Sequence, residues 1–355
     1  MPARPLVVTA DPDVLDDLLR LAATVSVELE VAADPGAARR SWATAPFVVV
    51  GVDAVPGVAR LRLPRRTSVV VLGQDLDDAG IWEAAVRVGG EQVVFLPDAE
   101  RWLADRFADA AEGGREQGAL VAVLGGRGGA GATTFACALA VTATRAGRLA
   151  LLVDGDPLGG GIDLVFGGEQ DPGLRWPELV PTRGRVPSSA LSEALPRMSG
   201  LSVLSWDRGA FTTAPLEAMS AVLDAGRRAH ELVVVDLPRS LDEVSRSVLV
   251  QATTTVLVVP TEVRAAAAAS RVVGALGSLC PDLRVVTRGP SPTGLAGDAV
   301  AGALGLPLLA EMRPEPHVGL SLEHGSAPGQ RDRGPLAGAC SRLLADVLPE
   351  LRRAA

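Results

Sequence analysis

The stretch LGGRGGAGATT, Leu124–Thr134, constrains this chain more than any other. It follows a β-rich run, Ala119–Leu124, and opens a segment with a helical pattern, Thr134–Arg145. Glycines at such a junction let backbone N–H groups turn inward around an anion at a helix N-terminus. Set against G-x-x-x-x-G-K-[ST], the stretch reads Gly126, Arg127, Gly128, Gly129, Ala130, Gly131, Ala132, Thr133, with Thr134 next. Alanine stands where the motif has lysine, while Thr133 keeps the hydroxyl that such loops present to Mg²⁺. The same residues also fit G-x-G-x-x-G through Gly126, Gly128 and Gly131, with Asp154 after the next strand, which is a dinucleotide-binding pattern. Three features favour the nucleotide-triphosphate reading: the Thr133-Thr134 pair, a second acid at Asp156, and Asp236 closing the apolar run Leu232–Val235. Hydroxyl and carboxylate oxygens at strand ends are what Mg²⁺ requires. A dinucleotide-binding oxidoreductase stays open as an alternative, although no His, Cys or Tyr acid/base pair accompanies it.

Composition narrows the choice further. A length of 355 residues suggests about two domains, each large enough for its own core. A net charge of −8 argues against a broad basic face for nucleic acid. Cys137, Cys280 and Cys340 lie too far apart for a disulfide framework or a zinc site, and the three histidines are equally scattered. The N-terminal apolar stretch is too short for a signal peptide, and no run of about 18 apolar residues occurs, so a cytoplasmic location is expected. There is no lysine and no asparagine, so all 34 basic side chains are arginines. Any chemistry that needs a lysine is excluded.

Two α/β halves follow one another. Runs at Leu6–Thr9, Val27–Val31, Phe47–Val52, Ser68–Leu72 and Gln92–Leu96 alternate with helical segments such as Asp13–Ala22 and Ile81–Val88. Five such units resemble the receiver domain of response regulators, a flavodoxin-like fold. A working receiver needs an acid closing its third strand and a lysine closing its fifth. Here Asp11 and Asp53 are the nearest acids, Asp53 sits late, and no lysine exists, so a degenerate receiver-like module is expected. The polar, Gly-rich stretch Ala111–Gly118 reads as a linker (113–118), dividing the chain into domains 1–112 and 119–355. In the second half, further runs recur at Leu149–Val153, Leu201–Leu204, Leu232–Val235, Thr255–Val259, Leu283–Val286 and Pro307–Leu309. Helical patterns separate most of them, including Leu216–Arg228, Arg264–Leu279 and Leu336–Val347, which implies a larger, mostly parallel sheet. Gly167–Gly200, rich in Pro, Gly and Arg, reads as a partly irregular excursion.

RGGAGATT resembles the deviant Walker A loop of the MinD/ParA family, K-G-G-x-G-K-[ST]-T. The likeness extends to Val153–Gly167, which is similar to the family's switch I, and to VVVDLP, Val233–Pro238, which is similar to switch II. Val258–Glu262 and Leu304–Leu309 also fit, so the likeness covers Leu120 to about Leu348. With a receiver-like domain in front, the chain resembles the CpaE/TadZ branch. The stretches GLRWPEL (Gly173–Leu179) and LSVLSWDR (Leu201–Arg208) look like the actinobacterial septum-site-determining (Ssd) proteins, which are themselves CpaE-like. The resemblance implies a P-loop NTPase domain of MinD/ParA type, with ATP and Mg²⁺ as cofactors. It implies Mg²⁺ near Thr133, Asp154 and Asp236, and Asp156 orienting the attacking water. Arg127 takes the place of the lysine that reaches a partner protomer's nucleotide, so a homodimer is implied. The implied function is a spatial regulator acting in cell division at the septum. The alternative is an active Mg-ATPase positioning Tad-type pilus or secretion machinery at a pole. The chain departs from the family at both lysines, and Thr287-Arg288 stands where an asparagine usually reads adenine. Weak ATP binding and little or no hydrolysis follow.

The C-terminal pattern Leu336, Cys340, Leu343, Leu344, Val347 and Leu351, with Arg342, Arg352 and Arg353, fits a helix packed on the sheet better than a lipid anchor, with membrane association at most peripheral. Arg264 and Arg271 are spaced for one helix face, but an acidic chain argues against nucleic acid. Arg183 and Arg185 read as solvated.

Overall fold

The computed structural model describes residues 4–73, 75, 80–111, 117–182, 184–210 and 212–348. Most of the expected linker, together with Arg183, Leu351, Arg352 and Arg353, lies outside the described residues. The chain forms two compact units, Met1–Glu116 and Gln117–Ala355.

The first unit alternates strands and helices: β1 (Leu6–Val8), α1 (Pro12–Thr24), β2 (Glu30–Ala32), α2 (Pro35–Ala38), β3 (Val48–Gly51), α3 (Val55–Leu61), β4 (Val69–Gly73), α4 (Gly80–Val88), β5 (Gln92–Phe95) and α5 (Glu100–Ala111). The strands are parallel in the order β2-β1-β3-β4-β5, the flavodoxin-like arrangement. Leu18, Leu103 and Phe107 bring α1 and α5 onto one face, and Val55, Val58 and Ile81 bring α3 and α4 onto the other. The edge strand begins at Glu30 rather than at Val27, because three-residue β1 pairs with only Glu30–Ala32.

Both oxygens of Asp53 are engaged: Oδ1 accepts from the Thr9 hydroxyl at 2.8 Å and Oδ2 from the Ala10 N–H at 2.7 Å. Asp11 caps α1 through Asp13 and Val14 N–H groups. With its acids committed to backbone turns and no lysine available, this unit should take no phosphoryl group from acetyl phosphate. Intact-mass spectrometry should find the chain unmodified, and stoichiometric phosphate on Asp53 would overturn that.

The strands of the second unit are β6 (Ala119–Gly125), β7 (Ala150–Asp154), β8 (Arg197–Met198), β9 (Leu201–Leu204), β10 (Leu232–Asp236), β11 (Thr254–Pro260), β12 (Leu283–Arg288) and β13 (Leu308–Met312). Its helices are α6 (Ala132–Arg145), α7 (Trp176–Leu179), α8 (Ser188–Ala194), α9 (Leu216–Ala229), α10 (Glu243–Gln251), α11 (Val263–Leu276), α12 (Gly297–Leu304), α13 (Val318–Glu323) and α14 (Pro335–Val347). The sheet order is β13-β12-β11-β6-β10-β7-β9-β8, parallel except where β8 meets β9. Helices α6 and α14 cover one face, while α9 to α12 cover the other. Because both faces are covered, the central strands read as unbroken apolar runs. The excursion at 167–200 folds into α7, α8 and β8, and α11 stops at Leu276 because Gly277 turns to φ +52°. Leu336, Cys340, Leu343 and Leu344 of α14 are buried against the sheet side, as a packed terminal helix requires. Among the described residues no helix is long and apolar enough to cross a membrane.

Candidate functional site

Parallel strands bring the C-terminal ends of β6, β7 and β10 to one edge, and β10 lies between the other two. Asp236 pairs in register with Asp154 on one side and Val123 on the other, so both acids stand beside the loop that leaves β6. In a dinucleotide-binding sheet the strand after the glycine loop lies next to the first, carrying its acid to the ribose. Here β10 intervenes, and the dinucleotide reading loses its geometry.

The loop runs from Gly126 to Gly131, and α6 begins at Ala132. Three of its glycines are required. A Cβ on Gly126 would stand 2.8 Å from the Ala269 side chain of α11, and Gly129 and Gly131 adopt φ +68° and +97°. The Thr133 hydroxyl donates to Asp236 Oδ2 at 2.7 Å. Asp154 Oδ1 accepts from the Asp156 N–H at 3.2 Å, and its Oδ2 accepts from the Ile162 N–H at 3.0 Å. Asp156 itself accepts from the Leu158 N–H at 3.0 Å, closing a local turn. Burial first, with neighbouring acids adding to it, pushes the Asp154 carboxyl up to about 6 and the Asp236 carboxyl up to about 7. Two buried, reluctant carboxylates beside a hydroxyl form an oxygen donor set suited to Mg²⁺, which binds through one or two carboxylates and completes its shell with water and substrate phosphate.

Positive charge is arranged differently. The Arg127 guanidinium is already engaged: its Nη2 donates to Glu262 at 2.8 Å and its Nη1 to the Gly128 carbonyl of the loop itself at 3.0 Å. Arg288, at the end of β12, donates to the Gly129 carbonyl at 3.2 Å. It walls a cleft of about 300 Å³ together with Gly131, Thr134, Pro290, Met312 and Arg313. The loop therefore offers N–H groups, a hydroxyl and two acids, but no cation of its own at position 132. In the sequence Glu262 and Arg288 are only parts of neighbouring motifs; their contact with the loop spans 135 and 159 residues. Arg264 and Arg271 are exposed on α11 and, with Arg239, border a separate groove.

The second unit has the fold of the MinD/ParA-type P-loop proteins, and the first has the fold of a CheY-like receiver. A ParA family ATPase from Chlorobium tepidum superposes with a TM-score of 0.57 at 14% identity, covering 64% of this chain and 98% of that one. The septum site-determining protein MinD of Pyrococcus horikoshii, solved with Mg-ADP, gives a TM-score of 0.51 at 18% identity, covering 67% and 98%. The family model described as "Rv3660c-like, CheY-like N-terminal domain" matches residues 8–118. Protein Rv3660c of Mycobacterium tuberculosis is 46% identical over 345 residues, 96% of either chain, and this chain belongs to the Rv3660c-like family.

Proposed function

We propose that this protein is a MinD/ParA-type spatial regulator of the CpaE-like kind, acting in septum-site determination, and that its nucleotide site binds Mg-ATP weakly with little or no hydrolysis. The observation that carries the reading is the Thr133–Asp236 contact at the mouth of a glycine loop whose lysine position holds Ala132. In this reading the N–H groups of residues Gly126–Thr134 hold the phosphates, and Thr133, Asp154 and Asp236 hold Mg²⁺. Asp156 lies where a water-orienting acid belongs, and the domains divide at 112 and 119. Bound Mg²⁺ supplies charge neutralisation at the phosphates, while the chain's own groups position it. Phosphoryl transfer depends mainly on positioned positive charge. Arg127 supplies little of it while Glu262 holds its guanidinium, which favours binding over turnover. The oxidoreductase alternative has no such support, because β10 separates the loop strand from Asp154.

The test is an equilibrium titration of fluorescent ATP, with and without Mg²⁺, alongside a phosphate-release assay and light scattering on the same samples. We expect weak binding that Mg²⁺ strengthens, phosphate release at background, and a dimer with or without nucleotide. Preferential binding of NAD or FAD would overturn the assignment. Fast release would move it to the alternative of an active ATPase placing pilus or secretion machinery. A fluorescent fusion that gathers at one pole and never at the septum would count the same way.

A further inference from the structure

The two stretches that fall outside the loop and its acids, Gly173–Leu179 and Leu201–Arg208, converge on the segment that begins at Asp154. At their meeting point is Asp163, whose side chain is fully buried. Arg208 grips it with both arms, Nη1 to Oδ2 at 2.7 Å and Nη2 to Oδ1 at 2.6 Å. Arg175 adds Nε to Oδ2 at 3.3 Å and spends its remaining donors on the carbonyls of Gly168, Asp171 and Gly173. The Ser205 hydroxyl stands between two carboxylates, 3.2 Å from Asp163 Oδ1 and 3.4 Å from Asp154 Oδ2. Having one proton, it donates to one of them at a time. Trp176, from the other stretch, donates its indole N–H to the Asp154 carbonyl at 2.7 Å and stacks on Trp206 with centroids 5.5 Å apart.

We propose that Arg208 is a positioning residue: through Asp163 and Ser205 it fixes the Asp154 carboxylate beside Asp236 for metal. The proposal rests on the reading that Asp154 faces Mg²⁺. A fully buried carboxylate is retained only where donors compensate it, and an ion pair needed merely for packing would not have to share a hydroxyl with Asp154. Bidentate arginine fixes the orientation of its partner as well as its charge, which a lysine does not. With the Arg208 side chain still 42% exposed, its charge stays hydrated while its fork reaches the buried acid. Outer groups that orient a metal ligand are commonly worth about 10–100-fold in metal affinity. Trp176 makes the arrangement observable, since its indole is bonded to Asp154 and stacked on Trp206.

The experiment uses the full chain with Mn²⁺ as the metal probe, read by electron paramagnetic resonance in the presence of ATP, together with tryptophan emission. Arg208→Ala should weaken Mn²⁺ about tenfold or more and remove the metal-induced change in emission, while metal-free ATP binding stays as in wild type. Arg208→Lys should recover only part of the loss. Ser205→Ala leaves the Asp163–Arg208 pair intact and should still weaken Mn²⁺ several-fold, so a folding defect in the alanine variant of Arg208 does not decide the matter. Equal Mn²⁺ affinity in wild type and Ser205→Ala, or parallel loss of metal and metal-free ATP binding in both Arg208 variants, overturns the proposal and leaves the site reading standing. A wild-type chain that holds no Mn²⁺ with ATP removes both.

Discussion

Ala132→Lys should tighten Mg-ATP binding by one decade or more. The loop already presents its N–H groups at the start of α6, and Thr133, Asp236 and Asp154 already stand together beside it. Charge at position 132 is what is missing. At an effective dielectric constant near 20, one lysine–phosphate contact at ~4 Å is worth about 4 kcal/mol before desolvation is subtracted. If half survives, the gain exceeds the 1.4 kcal/mol that makes a decade. Ala132 is half-buried at the helix start, so the new side chain has a route out of the packed core. Thr133→Ala in the same background should erase the gain, because the hydroxyl that the reading assigns to Mg²⁺ is lost. Glu262→Gln makes an independent comparison: its amide oxygen still accepts from Arg127 but the ion pair is gone, so with no charge added at 132 it should recover a smaller part of the affinity. A lysine variant that binds no better than wild type, while Glu262→Gln abolishes binding, would show that Arg127 in its present position already does the lysine's work.

The central strands of the second unit are legible because both of their faces are buried. Leu232–Asp236 has no exposed side chain, and a five-residue apolar run ending in an acid reads as a central parallel strand without further help. Their order was not legible. Nothing in the run itself says that β10 inserts between β6 and β7, yet that insertion is what excludes the dinucleotide geometry. Two-residue β8 carried no periodicity at all, and short α7 and α8 were hidden in a stretch whose prolines and glycines read as irregular. The site divides along the same line. Loop, hydroxyl and acids each lie in a contiguous motif, which a sequence displays directly. The contacts that set their charge are long-range: Arg127 with Glu262, Arg288 with Gly129, and Arg208 with Asp163 across 45 residues. Arg208 and Ser205 were visible only as members of a stretch without a role, because an ion pair closed by tertiary structure leaves no spacing to read.

Asp236→Asn should make the metal-free protein more stable at pH 8 while it removes the response to Mg-ATP. Burial is the first cause of the raised Asp236 carboxyl, at about 7 against an ordinary 3.8; the Thr133 hydrogen bond works the other way, and the nearby charges of Asp154 and Asp156 add to the rise. For an acid raised in the folded state, the native protein holds a proton that the unfolded chain releases. Its stabilising contribution is complete below about 4 and is lost as pH climbs through about 7. By pH 8 the wild type therefore carries an ionised, buried carboxylate, which costs at most about 4 kcal/mol at 1.36 kcal/mol per pH unit. Relaxation and water entry leave a part of that, so the gain in the variant should be about 1–3 kcal/mol. Asparagine keeps an oxygen to accept from Thr133 and removes the charge. Thermal melts at pH 5 and pH 8 should show the difference between the two proteins shrinking at the lower value, where wild-type Asp236 is protonated. Adding Mg-ATP at pH 8 should raise the wild-type melting temperature and leave the variant's unchanged, because the cation relieves the same repulsion that the substitution deletes. A variant less stable than wild type at pH 8 without metal would mean that the Asp236 carboxylate is held ionised by partners other than Thr133, and that the desolvated pair at the strand ends is not the metal-seeking feature of this site.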